Sequence, residues 1–417
     1  MSDATESGVP TNQDRVGTVA IVAGTAVSAL SVYLYQVIAA RTLGSELFAS
    51  IGVMWTISFL VFTVLNIPVE QYVTRRLTLG GGRWLPDRDA ILIVATPLLA
   101  GIVIGAVFVA ATLDRFFAGS SGFVVAAVAI LISRGLLTVG RAFLAGRRRF
   151  TAYGAIVALE GVVLVALAIG VAATSASALA FVAILAISPL VVVLARPLAT
   201  TTTEMPMLAD SIPAGAGFLG ALIVATAASQ IILAAEPVIV SFVGGTATAV
   251  SVVFVTFTLF RGPVTSAYNL IARVLPDFTV MASAGDDHRL KVWAERIGIA
   301  GVALAALFGA GGWVLGPIVV EVLYGAEFAP PSVVSGLAAA AVGFALASLF
   351  LNQIFVARGE TGRLAVIWLL ALLAATVALF VSTAEPMIRV ATAFLVGEAA
   401  ALALLVGVSV FAHRRRA

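Results

Sequence analysis

The sequence contains no cysteine, one lysine (Lys291) and two histidines. Without cysteine there are no disulfides, thiolate metal sites or cysteine nucleophiles. The two histidines, His288 and His413, fall in a cytoplasmic loop and in the C-terminal tail, and no metal-ligand cluster is formed. Charge is scarce as well: 11% of the 417 residues are Asp, Glu, Lys or Arg, against about 25% in a typical soluble domain. There is no glycine-rich phosphate loop ending in Gly-Lys-Ser/Thr, which argues against an ATPase activity of the chain's own. A membrane glycosyltransferase would need a sizeable aqueous domain with clustered acidic residues, and no loop is large enough. An enzyme is therefore not expected, nor is a cofactor. The net charge is only +3 and the basic residues sit at helix ends, a pattern of membrane topology and not of nucleic-acid binding.

What is abundant is apolar surface. Hydrophobic residues make up 61% of the chain and the mean hydropathy is +1.12. The fold class that follows is an all-α integral membrane protein, with the lipid bilayer as its solvent. About 20 apolar residues span the hydrocarbon core. On that measure twelve transmembrane helices are predicted, near 16–40, 47–75, 89–112, 121–145, 150–172, 177–195, 213–242, 247–274, 291–322, 332–357, 362–383 and 386–411. Residues 1–15 read as a disordered cytoplasmic tail. They lack the basic n-region of a cleavable signal peptide. Helices one to six form an N-lobe (16–195) and helices seven to twelve a C-lobe (213–411). A polar cytoplasmic linker (196–212) joins them, and a basic tail (412–417) ends the chain.

The arginines orient this arrangement. Alternate loops hold Arg75, Arg76, Arg83 and Arg88, then Arg147 to Arg149, Arg289 with Lys291, Arg358 with Arg363, and the Arg414–Arg416 tail. The opposite loops hold only Arg41, Arg115 and Arg389. The positive-inside rule then places both termini in the cytoplasm. Two internal echoes accompany the 6+6 division: Asn66-Ile67-Pro68-Val69 with Arg261-Gly262-Pro263-Val264, and Phe143-Leu144-Ala145 with Phe355-Val356-Ala357. Two even-numbered halves run the same way, so the repeat is expected to be parallel, with a pseudo-two-fold axis along the membrane normal.

Charges deep in apolar runs mark the candidate sites, since each costs several kcal/mol unless it is paired or faces water. Arg134 and Arg141 are seven residues apart on the fourth helix, on one face, with Thr138 between them. They read either as a phosphate-binding ladder or as two structural residues, Arg134 pairing with Glu160 of the next helix and Arg141 snorkelling to the cytoplasmic surface. On the eighth helix Arg261, Thr265 and Asn269 form a polar stripe around Gly262-Pro263. Arg261 has no carboxylate at matched depth, Glu236 being placed nearer the outer face, so Arg261 is expected to face an aqueous cavity. Asn66, Glu70 and Thr74 share a face of the second helix, which ends in Arg75 and Arg76; Arg75 is a candidate headgroup contact or a topology anchor. Arg41 is either a release-side contact or a charge partner of a helix C-terminus. Glu398, Glu236, Glu160 and Glu70 are the candidate sites for proton or sodium coupling, or else partners for these arginines.

Several short motifs carry a family resemblance. They are Ala40-Arg41-Thr42-Leu43-Gly44, Pro68-Val69-Glu70-Gln71-Tyr72-Val73-Thr74-Arg75-Arg76, Phe143-Leu144-Ala145-Gly146-Arg147-Arg148-Arg149-Phe150, Glu160-Gly161, Leu323-Tyr324-Gly325-Ala326-Glu327-Phe328-Ala329-Pro330, Asn352-Gln353 and Ala357-Arg358-Gly359. The set resembles the polysaccharide-transport (Wzx-type) flippases of the multidrug/oligosaccharidyl-lipid/polysaccharide (MOP) exporter superfamily. That resemblance implies two six-helix lobes around a cationic cavity. It also implies alternating access that carries polyprenyl-pyrophosphate-linked oligosaccharides to the outer leaflet, and a polysaccharide polymerase or glycosyltransferases as partners. The arginine that often follows the helix-five Glu-Gly in that branch is absent, Val162 standing in its place. Arginine suits such a cargo because its planar fork binds phosphate oxygens bidentately.

Three other readings compete. A drug/cation antiporter of the same superfamily would have a site dominated by carboxylates and aromatics. A major-facilitator transporter would carry Gly-x-x-x-Asp-Arg-x-Gly-Arg after its second helix, where this chain has only Asp87-Arg88 without the flanking glycines. A scaffold with no substrate would not need a charged interior.

Overall fold

The computed structural model describes residues 12–79, 88–147, 149–174, 177–195, 216–264, 267, 278, 281–282 and 284–411. All regular structure among them is helical, as lipid requires: with no water in the hydrocarbon core, a spanning segment has to satisfy its backbone donors and acceptors within itself. In chain order the helices are α1 (Asn12–Val61), a π-helical turn (Phe62–Asn66), α2 (Ile67–Leu79), α3 (Arg88–Ala111), the single turn α4 (Leu113–Phe116), α5 (Gly122–Gly146), α6 (Phe150–Thr174) and α7 (Ala178–Ile187). A 3₁₀ extension, Ser188–Ala195, completes α7. Then follow α8 (Ala216–Ala234), α9 (Glu236–Phe242), α10 (Ala247–Phe260), α11 (Asp287–Tyr324), α12 (Ser332–Ala357), α13 (Thr361–Val381) and α14 (Pro386–Phe411).

Ten of the described helices are long and apolar enough to cross a membrane, or eleven if α8 and α9, bent by 67°, are one span. The chain is a multi-pass membrane protein. Against the twelve spans expected, the difference lies at the N-terminus. The expected helices 16–40 and 47–75 follow each other without an intervening loop in one run, Val19–Thr74, of 56 residues. It is broken at Gly44, whose φ of 72° and ψ of 170° are not helical, and again by the π-helical turn Phe62–Asn66; a side chain at Gly44 would be strained, and glycine is the residue that adopts such an angle freely. The loop expected between 40 and 47 is thus a single residue.

The described chain forms two compact units. The first comprises 1–42 and 65–214, the second 43–64 and 215–417. In the first, α1 and α6 cross in direct backbone contact. A Cβ on Gly24 would sit 2.2 Å from the Gly154 carbonyl oxygen, and one on Gly154 would sit 2.2 Å from the Ala20 carbonyl oxygen. Small residues at a crossing let two membrane helices approach this closely. Leu137, Leu144, Ile156 and Val192 form a buried cluster between α5, α6 and the 3₁₀ extension, while Val69, Val73, Leu77 and Ala142 join α2 to α5.

In the second unit, α11 and α12 pack along their length with small residues facing each other: a Cβ on Gly343 would meet the Ala305 nitrogen at 2.4 Å. Arg358, just past the end of α12, binds Asp287 at the start of α11, Nη2 to Oδ1 at 2.9 Å. Motif residues Asn352 and Gln353 have structural partners here. The indole Nε1 of Trp368 donates to Asn352 Oδ1 at 3.2 Å, and Gln353 Nε2 donates to the Leu349 carbonyl at 3.1 Å. The segment 43–64, although continuous with the first unit at both ends, packs in the second. Its Phe48 is fully buried against Phe254 and Phe328, with ring centroids 5.8 and 5.7 Å away.

Candidate functional site: buried arginine–carboxylate pairs

Each unit holds an arginine at membrane depth and a carboxylate that neutralises it. In the first unit the basic turn after Gly146 folds α6 back along α5, so residues equally distant from the turn come level. Arg134 of α5 meets Glu160 of α6, Nη1 to Oε1 at 3.1 Å; of the two alternatives for Arg134, the pair is the one formed. Thr138 does not extend a ladder, because its hydroxyl donates to the Arg134 carbonyl one turn back, at 2.9 Å.

Arg141 does not snorkel. Its guanidinium turns inward to Glu70 of α2, Nη2 to Oε1 at 3.3 Å, and its Nε donates to the Tyr153 hydroxyl at 3.0 Å. Tyr153 in turn donates to Glu70 at 2.9 Å, and the Arg141 guanidinium carbon lies 5.0 Å from its ring centroid. Arginine, tyrosine and glutamate thus tie α2, α5 and α6 into one polar knot, in which each hydrogen bond is strengthened by charge. Tyr153 has no role in the sequence reading. The available signal was its position seven residues before Glu160, two turns along α6 and hence on the same face.

Other expected residues of this unit fall as follows. Asn66 is buried in the π-helical turn, and the Thr74 hydroxyl donates to the Ala142 carbonyl at 3.4 Å. Arg76 donates to Tyr72 one turn away, at 3.1 Å. Arg41 is exposed near the end of the first segment of α1, and the Arg75 side chain lies outside the described residues. Arg147 is buried over the Phe143 ring, 5.2 Å from its centroid.

In the second unit the structure corrects the expectation for Arg261. It is not unpaired: its Nη2 lies 3.0 Å from Glu236 Oε2. The misplacement has a geometric cause. Residue counting assumed one straight helix over 213–242, but the chain leaves the helix at Ala235, and α9 restarts at Glu236-Pro237 after a 67° bend. Glu236 stands at the bend itself, and its carboxylate reaches Arg261 at the end of α10. Thr265 and Asn269, which were to continue the Arg261 stripe, lie outside the described residues.

Glu236 and Glu398 are both 1% exposed. The Glu398 carboxylate lies within electrostatic range of Glu236. Neither Glu236 Oε1, Glu398 Oε2 nor Arg261 Nε has a hydrogen-bond partner among the described residues. Of the two carboxylates, Glu236 is the one bound to the Arg261 guanidinium among the described residues, and a cavity of about 50 Å³ adjoins it, walled by Ile232, Leu372, Ala375, Val390 and Phe394. Chemically, such a cluster can hold a proton or a small cation between its carboxyls, and its guanidinium keeps donors in reserve for an anion.

Solved structures of MATE transporters share this arrangement of helices. Neither family models nor curated protein sequences match the chain. Among solved structures, it is similar to an inward-facing multidrug resistance MATE family transporter of the MOP superfamily, with a TM-score of 0.63 and 14% identity over 95% of this chain and 98% of that one. It is also similar to a mutant of the Vibrio cholerae MATE transporter VcmN, with a TM-score of 0.60 and 12% identity over 97% and 98%. An outward-facing multidrug resistance MATE family transporter of the superfamily gives a TM-score of 0.56 and 15% identity over 97% and 95%.

Proposed function

We propose that the chain is an alternating-access transporter of the plasma membrane whose cargo is a polyprenyl-pyrophosphate-linked oligosaccharide, moved from the cytoplasmic to the outer leaflet. One observation supports the anionic cargo: the deep Arg261 is held by a single-pronged contact that leaves a guanidinium donor unspent. Arg261 engages Glu236 through Nη2 alone, and its buried Nε has no hydrogen-bond partner among the described residues. A purely structural pair would gain more from two parallel N–H···O bonds. A pyrophosphate can take the spare donors or displace the carboxylate, and the freed carboxylate can accept a proton, which would link transport to a proton gradient through Glu236 and Glu398. The motifs that resemble Wzx-type flippases support the same reading. In it the 56-residue run divides at Gly44 into two spans, giving twelve helices in two parallel six-helix lobes with both termini cytoplasmic. Arg75 and Arg141 then lie on the cytoplasmic approach and Arg41 on the release side.

A second reading, a drug/cation antiporter, has an observation of its own. The described deep arginines Arg134, Arg141 and Arg261 are each neutralised by a carboxylate, and Glu398 adds a carboxyl to the interior of the second unit. The solved structures of similar fold are multidrug transporters. The two readings separate in liposomes holding the purified chain. Leaflet exchange of a fluorescent polyprenyl-pyrophosphate oligosaccharide is read with an outer-leaflet quencher, alongside proton-linked efflux of an organic cation. Exchange by the wild type, lost in Arg261→Lys although that variant folds, supports the bidentate phosphate role. Full exchange by Arg261→Ala, or cation efflux without exchange, overturns it.

A further inference from the structure

The segment 43–64 is joined to the first unit at both ends and packed in the second, and both junctions coincide with breaks in regular helix. At one lies Gly44, with its left-handed φ of 72°. At the other lies the π-helical turn Phe62–Asn66, followed within two residues by Pro68. Positive-φ glycines and π-turns are where a helix bends most readily.

The outer part of the segment is fastened to the second unit. Glu327, from the Leu323-Tyr324-Gly325-Ala326-Glu327-Phe328 motif, accepts the backbone N–H of Ser45 at its Oε2, 3.1 Å away. It thereby caps the helix that restarts after Gly44, in the role of an N-cap acceptor supplied from 282 residues away. Ser251 donates to the Ser45 carbonyl. Phe48 fills a pocket between Phe254 and Phe328. Two motifs of the sequence, Arg41-Thr42-Leu43-Gly44 and the Glu327 turn, thus meet at one joint.

We infer that residues 43–64 are a strap that travels with the second unit on hinges at Gly44 and at Phe62–Asn66, and that Glu327 is the pin holding it there. The inference needs only that the two units move relative to each other, whatever the cargo, so its test does not use transport. The chain has no cysteine, so paired cysteines introduced for spin labels are unambiguous. One pair, Leu47→Cys with Val381→Cys, links strap to second unit; another, Leu47→Cys with Val125→Cys, links strap to first unit. All three positions are exposed.

In lipid nanodiscs the strap-to-second-unit pair is expected to give a single narrow distance distribution, with the strap-to-first-unit pair giving a broader one. Adding Glu327→Ala to the strap-to-second-unit pair is expected to add a second distance, while Glu327→Gln, which keeps an acceptor oxygen, restores one. Unchanged helical circular dichroism serves as the folding control. Two populations in the wild-type strap-to-second-unit pair overturn the strap, and an unchanged distribution in Glu327→Ala overturns the pin.

Discussion

Arg261 and Glu236 stand or fall together. A buried pair adds little net stability over apolar groups of the same volume, yet removing one partner strands the other charge at a cost of about 3–5 kcal/mol. Arg261→Met should therefore lower the melting temperature in detergent sharply, because Glu236 is 1% exposed and would keep only the neighbouring Glu398 carboxyl for company. The double variant with Glu236→Leu should regain most of the loss. Equal melting temperatures for the single and double variants would mean the pair does not exist in solution. At the other polar knot, Tyr153→Phe removes one hydroxyl that both donates to Glu70 and accepts from Arg141. An unsatisfied buried partner costs about 1–3 kcal/mol, and the same thermal assay reads it.

At the scale of the helix, the sequence was most informative where an apolar run is long compared with its ends. The predicted span 332–357 is observed as Ser332–Ala357 and 386–411 as Pro386–Phe411. The pairing of Arg134 with Glu160 was also readable, since a short turn between two antiparallel helices fixes their relative depth. The 67° bend before Pro237 was not readable, because hydropathy does not register a bend between two apolar stretches, and neither was the contact of Arg261 with Glu236. The glycine contacts were visible only as small residues in apolar helices. Their consequence is testable on α6 alone. Gly154 faces the α1 backbone with no room for a side chain, whereas a Cβ on Gly170 would meet nothing within 4 Å. Gly154→Val should prevent α1 from docking and abolish monodisperse protein. Gly170→Ala should stabilise by about 0.5–1 kcal/mol through helix propensity. If both variants melt like the wild type, the α1–α6 crossing is wrong.

For the whole molecule the open question is whether the buried guanidinium serves the fold or the cargo, and exchanging the pair separates the two. In Arg261→Glu with Glu236→Arg, the charges of the pair stay balanced and the partners stay adjacent, so most of the stability lost in either single variant should return. What changes is the guanidinium's position: it moves from the end of α10 to the bend between α8 and α9. If its donors bind pyrophosphate at a defined place on the transport path, the exchanged protein should fold and yet lose leaflet exchange of the lipid-linked oligosaccharide by at least tenfold. If the pair only neutralises itself, exchange should survive the swap at near wild-type rate. In that event Glu398, untouched in both proteins, becomes the group through which a cation-coupled exporter would work, and Glu398→Gln should abolish proton-linked efflux of an organic cation from the same liposomes.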